Sequence, residues 1–146
     1  MLVSQFMQSP VVTCTPETTL QQACREMDRC KVGSLVVVGD DGHLIGIVTD
    51  RDIALKAVGW GHESCTPVAE VMSKSVVAIL PDADVFEAAK RMANRGVRRM
   101  PVVGVSGAVE GMIALDDVTA AMSDEVALLR KAVSTQLSGG PGWDES

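Results

Sequence analysis

Apolar residues recur at helical spacing in two stretches of the chain, with polar residues between them. The positions follow the order i, i+3, i+4, i+7 and are Leu20, Ala23, Cys24, Met27 in the first stretch and Val85, Ala88, Ala89, Met92 in the second. A side chain able to cap a helix precedes each stretch: Thr18 or Thr19, and Asp82 or Asp84. The pattern predicts two helices, ending near residues 29 and 94, each with one face in the core.

Unbroken apolar runs follow both predicted helices, at residues 35–38 and 100–103. Such runs are typical of strands that are covered on both faces. A turn containing glycine leads from each run into a second apolar stretch, at residues 44–49 and 109–114. Each pair of strands therefore predicts a β-hairpin.

The segments around the hairpins complete the pattern of each half. A short β-prone run precedes each amphipathic helix, at residues 11–13 and 76–78. A further helix is expected after each hairpin, over about 51–58 and from Asp117 into the 120s, and residues 121–133 either continue the last helix or start another. Each half is thus predicted to be β-α-β-β-α.

The two halves are copies of one another. A shift of 65 residues aligns residues 7–54 (copy one) with residues 72–119 (copy two) without a gap, and 13 of the 48 aligned positions are identical. Such a period marks a duplicated supersecondary unit. We expect a first unit at 1–60, a linker at 61–71, a second unit at 72–125, and at 126–146 the end of the last helix with a flexible tail from Ser138.

Composition and charge exclude several classes of function. The formal net charge is −6 and there is no run of basic residues, so the chain lacks the electrostatic footprint of a nucleic-acid-binding protein. The sequence predicts no secretory signal and no membrane-spanning segment, so we expect a cytoplasmic protein with no membrane partner.

Metal and catalytic sites are also not predicted. The four cysteines form no CxxC pair, the two histidines have no metal-ligand spacing, and we expect the thiols to stay reduced. No Ser/His/Asp set and no glycine-rich phosphate loop is present, so the sequence does not indicate an enzyme.

The most distinctive repeated motif closes each hairpin, as GIVTDRD at residues 46–52 and GMIALDD at residues 111–117. Thr49 is expected where a strand ends and a helix begins, a position suited to phosphate, and Asp52 offers carboxylate oxygens suited to ribose hydroxyls. The alternative is structural: Thr49 and Asp52 have the spacing of a capping box, and Asp50 or Asp116 could cap instead.

A tandem β-α-β-β-α unit with these closing motifs, and with VGSLVVV and VRRMPVV in matching places, resembles the CBS domain; a tandem pair resembles a Bateman module. The resemblance covers residues 7–122 and implies an α/β (α+β) fold of two units packed with pseudo-two-fold symmetry. It also implies a non-enzymatic regulator that binds an adenine ligand (AMP, ADP, ATP or S-adenosylmethionine) between its copies, requires no other cofactor, and controls a separate, unknown protein.

The resemblance implies two clefts. The first combines a motif pair with residues across the cleft and at the start of copy two: Thr49, Asp52, Val97, Arg98, Arg99, Lys74 and Ser75. The second combines Asp117 with Val32, Gly33, Ser34 and Ser9, and can also use Arg99. Adenine would meet backbone groups near the start of the second strand, and arginine would meet phosphate through paired hydrogen bonds.

The two predicted clefts are unequal. Ala114 replaces the threonine of the motif in copy two, so that cleft lacks a hydroxyl worth ~1.5–3 kcal/mol against a charged phosphate. We therefore expect the Asp52 cleft to bind more tightly.

Three alternatives stay open at this point. Arg98 and Arg99 could form a solvated strand edge, and Gly33 and Gly46 could serve close packing, which we favour for Gly46. The whole module could also be a ligand-free interaction scaffold with degenerate clefts. The resemblance also implies a homodimer paired through helices, and the apolar faces at 20–27 and 85–92 allow such pairing, so we expect a homodimer.

Overall fold

The computed structural model describes residues 1–137, and the tail predicted from Ser138 lies outside the described residues. Its helices are α1 (Val3–Phe6), α2 (Leu20–Cys30), α3 (Asp50–Asp52), α4 (Val85–Arg95) and α5 (Leu115–Leu137), and its strands are β1 (Thr13–Cys14), β2 (Ser34–Val38), β3 (Leu44–Thr49), β4 (Arg99–Val103) and β5 (Val109–Ala114). A π-helical segment, Ile53–Val58, continues α3, and a 3-10 turn spans Val68–Glu70. The order is the predicted one, with α1 added and with residues 121–133 inside α5.

Each copy contains an antiparallel hairpin, β2 with β3 and β4 with β5, and both hairpins bulge at equivalent positions. β1 lies parallel to β2, whereas copy two keeps only a single parallel bridge between Ile79 and Val102. The opening strand of copy one therefore starts two residues later than predicted, and the bridge of copy two lies one residue past the predicted range. A bridge between His43 and Ala108, which are equivalent positions of the repeat, marks the pseudo-two-fold axis.

Local capping explains the bounds of α2 and α4. Thr19 and Gln22 form a reciprocal capping box at the start of α2, and Asp84 Oδ1 accepts the backbone N–H of Phe86 at the start of α4. The C-caps Lys31 and Gly96 both have left-handed backbone, with φ of 56° and 64°. Glycine adopts this conformation freely, while a lysine there costs roughly 1 kcal/mol.

The amphipathic helices bury their apolar faces inside their own units. Leu20, Ala23 and Met27 lie in one core with Leu35 and Val48. Their counterparts Val85, Ala88 and Met92 lie in a second core with Met100 and Ile113. The apolar residues of these helix faces are therefore covered within the chain and are not free to form an interface, and homodimerisation itself stays a prediction.

The segment that precedes each copy packs into the core of the other copy. Val3 is fully buried in the core of copy two, where its N–H donates to a backbone carbonyl. Val68, the equivalent residue, is fully buried in the core of copy one, where its N–H also donates to a backbone carbonyl. Paired backbone hydrogen bonds join Gln8 to Met112. We call residues 1–8 and 68–73 the exchanged segments.

Gly46 and Gly111 are the strand positions over which the exchanged segments pass. Ser73 and Ile47 exchange backbone hydrogen bonds beside Gly46, and a Cβ on Gly46 would lie 2.8 Å from the carbonyl oxygen of Ser73. A Cβ on Gly111 would lie 2.5 Å from Met7 Sδ. The close-packing interpretation of Gly46 therefore agrees with the geometry.

The cysteines differ in exposure. All four are free thiols; Cys24 and Cys65 are exposed, and burial raises the pKa of Cys14 to about 11. The thiolate is the reactive form, so a raised pKa leaves little of it at pH 8. We expect iodoacetamide at pH 8 to modify Cys24 and Cys65 well before Cys14, as followed by peptide mass spectrometry. Equal rates at the three thiols would contradict the burial of Cys14.

Candidate ligand cleft

Thr49 and Asp52 form a complete capping box at the junction of β3 and α3. The N–H of Asp52 donates to Thr49 Oγ1, and the N–H of Thr49 donates to Asp52 Oδ2, both at 3.0 Å. Lys56 Nζ lies 3.4 Å from Asp52 Oδ1. The structure therefore contains the helix-capping box that the spacing of Thr49 and Asp52 predicted as the structural alternative.

Copy two keeps half of this box. The N–H of Ala114 donates to Asp117 Oδ2 at 2.9 Å, although no threonine is present. The capping bond alone thus accounts for the aspartate in both copies. Asp117 Oδ1 has no hydrogen-bond or ion-pair partner among residues 1–137.

Capping leaves both motifs with groups that a ligand can use. The hydroxyl of Thr49 accepts the capping bond and keeps its own proton as a donor. Each carboxylate oxygen has room for more than one hydrogen bond. Capping and ligand binding are therefore compatible at Asp52 and Asp117.

A cleft of about 300 Å³ opens between the two copies on the side of Asp117. The residues from copy one are Gln8, Pro10, Val11, Val12, Lys31, Val32, Gly33 and Ser34. Those from copy two are Arg99, Met112, Ala114, Asp116 and Asp117. This volume is at the lower end of the range for small-molecule sites. The structure therefore gathers most of the second predicted cleft.

Gly33 lies at the centre of the copy-one wall. Its carbonyl accepts the N–H of Asp50 at 3.0 Å, and a Cβ on Gly33 would lie 3.3 Å from Asp50 Oδ2 and 3.7 Å from Arg99 Nη1. The wall between these two charged groups is thus bare backbone, which a planar ring can approach closely. Ser34, beside it, is buried and lines the same cleft.

Both charge signs line this cleft. Lys31 and Arg99 supply cations, and Asp116 and Asp117 supply carboxylates. Lys31 stands at the left-handed C-cap of α2, where copy two has Gly96, so a strained position carries a cation at the mouth of the cleft. Phosphate and ribose are the chemical groups that suit such a mixed wall.

Several predicted site residues are engaged elsewhere. The Ser9 hydroxyl donates to the carbonyl of Glu110, and its neighbours Gln8 and Pro10 line the cleft instead. Arg98 lies 3.7 Å from Asp116, with both side chains largely exposed, so this ion pair adds little stability. Arg95 donates to the hydroxyl of Ser75.

The residues of the first predicted cleft are placed differently from those of the second. Val97 packs against the core of copy two, and Lys74 is exposed. In the part of the chain that the structure describes, neither Thr49 nor Asp52 hydrogen-bonds to a residue of the opposite wall.

Residues that line the cleft but were not predicted to do so include Gln8, Pro10, Val11, Val12, Lys31 and Met112. The signal for Lys31 was a lysine aligned with a glycine at a helix end. Across residues 1–137 no helix is long and apolar enough to cross a membrane, and no group of three or more His, Cys, Asp or Glu side chains is placed to hold a metal.

Comparisons with known proteins agree on one family. The sequence model of the CBS domain matches residues 3–59 and 68–124. The CBS domain-containing protein YhcV of Bacillus subtilis is 39% identical over 126 residues, which cover 86% of this chain and 89% of YhcV.

Solved structures share the fold. The CBS domain pair of protein MJ0100, in complex with 5′-methylthioadenosine and S-adenosyl-L-methionine, matches with a TM-score of 0.77 and 24% identity over 86% of this chain and 98% of that chain. CBS domain protein PAE2072 from Pyrobaculum aerophilum, complexed with AMP, matches with a TM-score of 0.74 and 24% identity over 80% of this chain and 89% of that chain. From its family match, its relative and its fold, the chain belongs to the CBS domain family and carries two CBS domains in tandem.

Proposed function

We propose that this chain is a regulatory module that binds an adenine nucleotide between its two CBS domains and acts on a separate protein in the cytoplasm. The observation that carries the proposal is the cleft in which the bare backbone at Gly33 faces Arg99 and Asp117. Its chemistry is recognition rather than turnover, because its charged groups suit binding and, among residues 1–137, no nucleophile with an adjacent base lines it.

Each wall has a role in this proposal. The base stacks near Gly33 and Ser34, the free Oδ1 of Asp117 accepts a ribose hydroxyl, and Lys31 with Arg99 meets phosphate. AMP, ADP and ATP suit the two cations. S-adenosylmethionine belongs in any test because the MJ0100 pair was solved with it.

The two sites differ in the polar groups that they offer to a ligand. Asp52 Oδ1 has Lys56 nearby in a half-buried i,i+4 pair, and i,i+4 helix pairs are typically worth ~0.3–0.5 kcal/mol. The hydroxyl missing at Ala114 is worth ~1.5–3 kcal/mol against phosphate. The binding free energy that the Thr49 hydroxyl can add exceeds the free energy of the Asp52–Lys56 pair that a ligand would disturb. We therefore propose that the Asp52 site binds more tightly than the Asp117 site. The difference corresponds to roughly tenfold or more in affinity.

Calorimetric titration with AMP, ADP, ATP and S-adenosylmethionine tests this proposal. We expect two unequal sites in the wild type, and a loss of roughly tenfold or more in affinity at one site each for Asp52→Asn and Asp117→Asn. An asparagine oxygen still accepts the capping N–H, so these variants separate ligand binding from helix capping. Asp52→Ala and Asp117→Ala remove both functions and serve as the matched comparison.

Two outcomes contradict the proposal. If two sites bind with equal affinity, the role given to Thr49 is wrong. If none of the four ligands binds and Asp52→Ala only lowers the melting temperature, the motif is a cap and the module is the ligand-free scaffold.

A further inference from the structure

A second pocket, of about 350 Å³, opens in copy one beside the edge strand β1. Its lining residues belong to β1, α2, β2 and the turn between β1 and α2, and none of them lines the candidate ligand cleft. Most are polar, and they include Thr13, Thr15, Thr18 and Gln22. Among residues 1–137, Glu26 of α2 is the only charged residue that lines it. The pocket therefore offers oxygen acceptors and one negative charge to a ligand.

The free edge of β1 adds a main-chain acceptor. β1 has β2 as its only neighbour in the sheet. The N–H of Val36 donates to the carbonyl of Val12, so this carbonyl points toward β2. Successive carbonyls along a strand point to opposite sides, so the next carbonyl, that of Thr13, points away from β2. A pocket residue thus presents a peptide oxygen at an edge where no strand covers it.

Copy two shows which chemical group fits between a helix and such an edge. Arg91 of α4 donates through Nη1 to the carbonyl of Ala78 at 2.7 Å. Its Nε donates to Glu87 Oε1 at 3.2 Å. One guanidinium therefore meets both a peptide oxygen of the edge and a carboxylate of the helix.

Copy one keeps the acceptors of this arrangement but lacks its cation. The repeat offset of 65 residues places Thr13 at the position of Ala78, and Glu26 at the position of Arg91. Arg29 pairs with Glu26 from the same helix, but its side chain is 71% exposed and does not line the pocket. A carboxylate accepts several hydrogen bonds, so this pair leaves Glu26 able to meet a second cation.

Apolar residues in the pocket suit the stem of an arginine. Leu35 is fully buried, Val38 is half-buried, and both line the pocket. An arginine packs its methylene stem on apolar surface while its guanidinium reaches polar groups. The described residues place no cation in the lining, so the carboxylate of free arginine would meet no opposite charge there. An arginine within a peptide chain has no such carboxylate, and it fits the pocket better.

We propose that this pocket is the docking site for an arginine side chain of another protein. The guanidinium donates to the Thr13 carbonyl and to Glu26, as Arg91 does to its own two partners in copy two. The stem packs against Leu35 and Val38. This inference does not depend on the adenine ligand proposed above, because the two sites share no lining residue.

Titration of the ¹⁵N-labelled full chain with the capped tripeptide Gly-Arg-Gly, followed by NMR, tests the inference. We expect chemical-shift changes centred on residues 13–18, 22–26 and 35–38. Capped Gly-Lys-Gly should bind several-fold more weakly, because an ammonium lacks the planar fork that donates to two acceptors at once. Methylguanidinium, which lacks the stem, and free L-arginine should also bind more weakly than the arginine peptide.

Exchange of residues between the copies gives matched variants. Glu26→Arg gives copy one the arginine of copy two, so it should fill the pocket and weaken peptide binding by roughly tenfold or more. Glu26→Gln keeps the size of the side chain and removes its charge, and should weaken binding several-fold even if the arginine variant does not fold. Arg91→Glu should open a second site, with shift changes around residue 78. Glu125→Gln, at an exposed position outside the pocket, should leave binding unchanged.

Four outcomes overturn the inference. They are no binding of the arginine peptide to the wild type, unchanged binding in both variants of Glu26, and equal binding of the lysine peptide. The fourth is binding of free L-arginine or methylguanidinium at least as tight as that of the peptide, which would assign the pocket to a small molecule instead of a protein.

Discussion

Leu35→Ala is expected to lower the free energy of unfolding by about 2–5 kcal/mol. Leu35 is fully buried in the core of copy one, so truncation leaves a cavity that the surrounding side chains fill only in part. Met100 is its repeat equivalent, fully buried in the core of copy two, and Met100→Ala should cost a similar amount. Denaturant unfolding at fixed protein concentration measures both.

The shape of the unfolding transition is the second part of this prediction. Because each core contains a segment that precedes the other copy, loss of one core releases part of the other. Both variants should therefore unfold in a single transition. Leu128→Ala, at an exposed position, should change stability by no more than about 0.5 kcal/mol. Two separate transitions, with only one shifted in each variant, would show that the cores are independent.

Gly46→Ala is expected to cost about 1–3 kcal/mol. The new Cβ would lie 2.8 Å from the Ser73 carbonyl oxygen and 2.9 Å from Met72 Sδ. The methionine can turn away, but the carbonyl is held by its bond from Ile47, so the exchanged segment must shift. Thermal unfolding measures the loss.

Gly104→Ala is the matched control for this substitution. A Cβ on Gly104 would meet only the side chain of Glu110, whose exposed carboxylate can move into water. We expect a change of no more than about 0.5 kcal/mol. If both variants lose stability equally, contact with the Ser73 carbonyl does not explain the cost at Gly46.

Local signals were sufficient for most elements of the fold. The strands at 44–49 and 109–114 and the caps at Thr19 and Asp84 match the structure, because alternation, turns and capping depend on neighbours in sequence. In place of the opening strand predicted for copy two, the structure has one bridge, between Ile79 and Val102, because pairing with β4 depends on tertiary packing. Periodicity also showed that α2 has a buried face, but it could not show which surface covers it.

In the candidate site, too, some features could be predicted from the sequence and others depend on tertiary packing. The resemblance to the CBS domain placed Val32, Gly33, Ser34 and Asp117 in one cleft, and the structure gathers these residues. The direction of the Ser9 hydroxyl depends on the exchange of segments across the two copies, which leaves no periodic mark in the sequence.

The exchanged segments also set the order in which a growing chain can fold. Val3 packs in a core that includes Val118, which is made roughly 6 to 23 s after Val3 at usual rates of translation. Copy one likewise waits for Val68 and Val71 before its core is complete. Residues 1–8 therefore keep their apolar side chains exposed until copy two is made, a period in which a chaperone can bind them. A chain that ends between the two copies would leave residues 1–8 without the core of copy two, into which they pack.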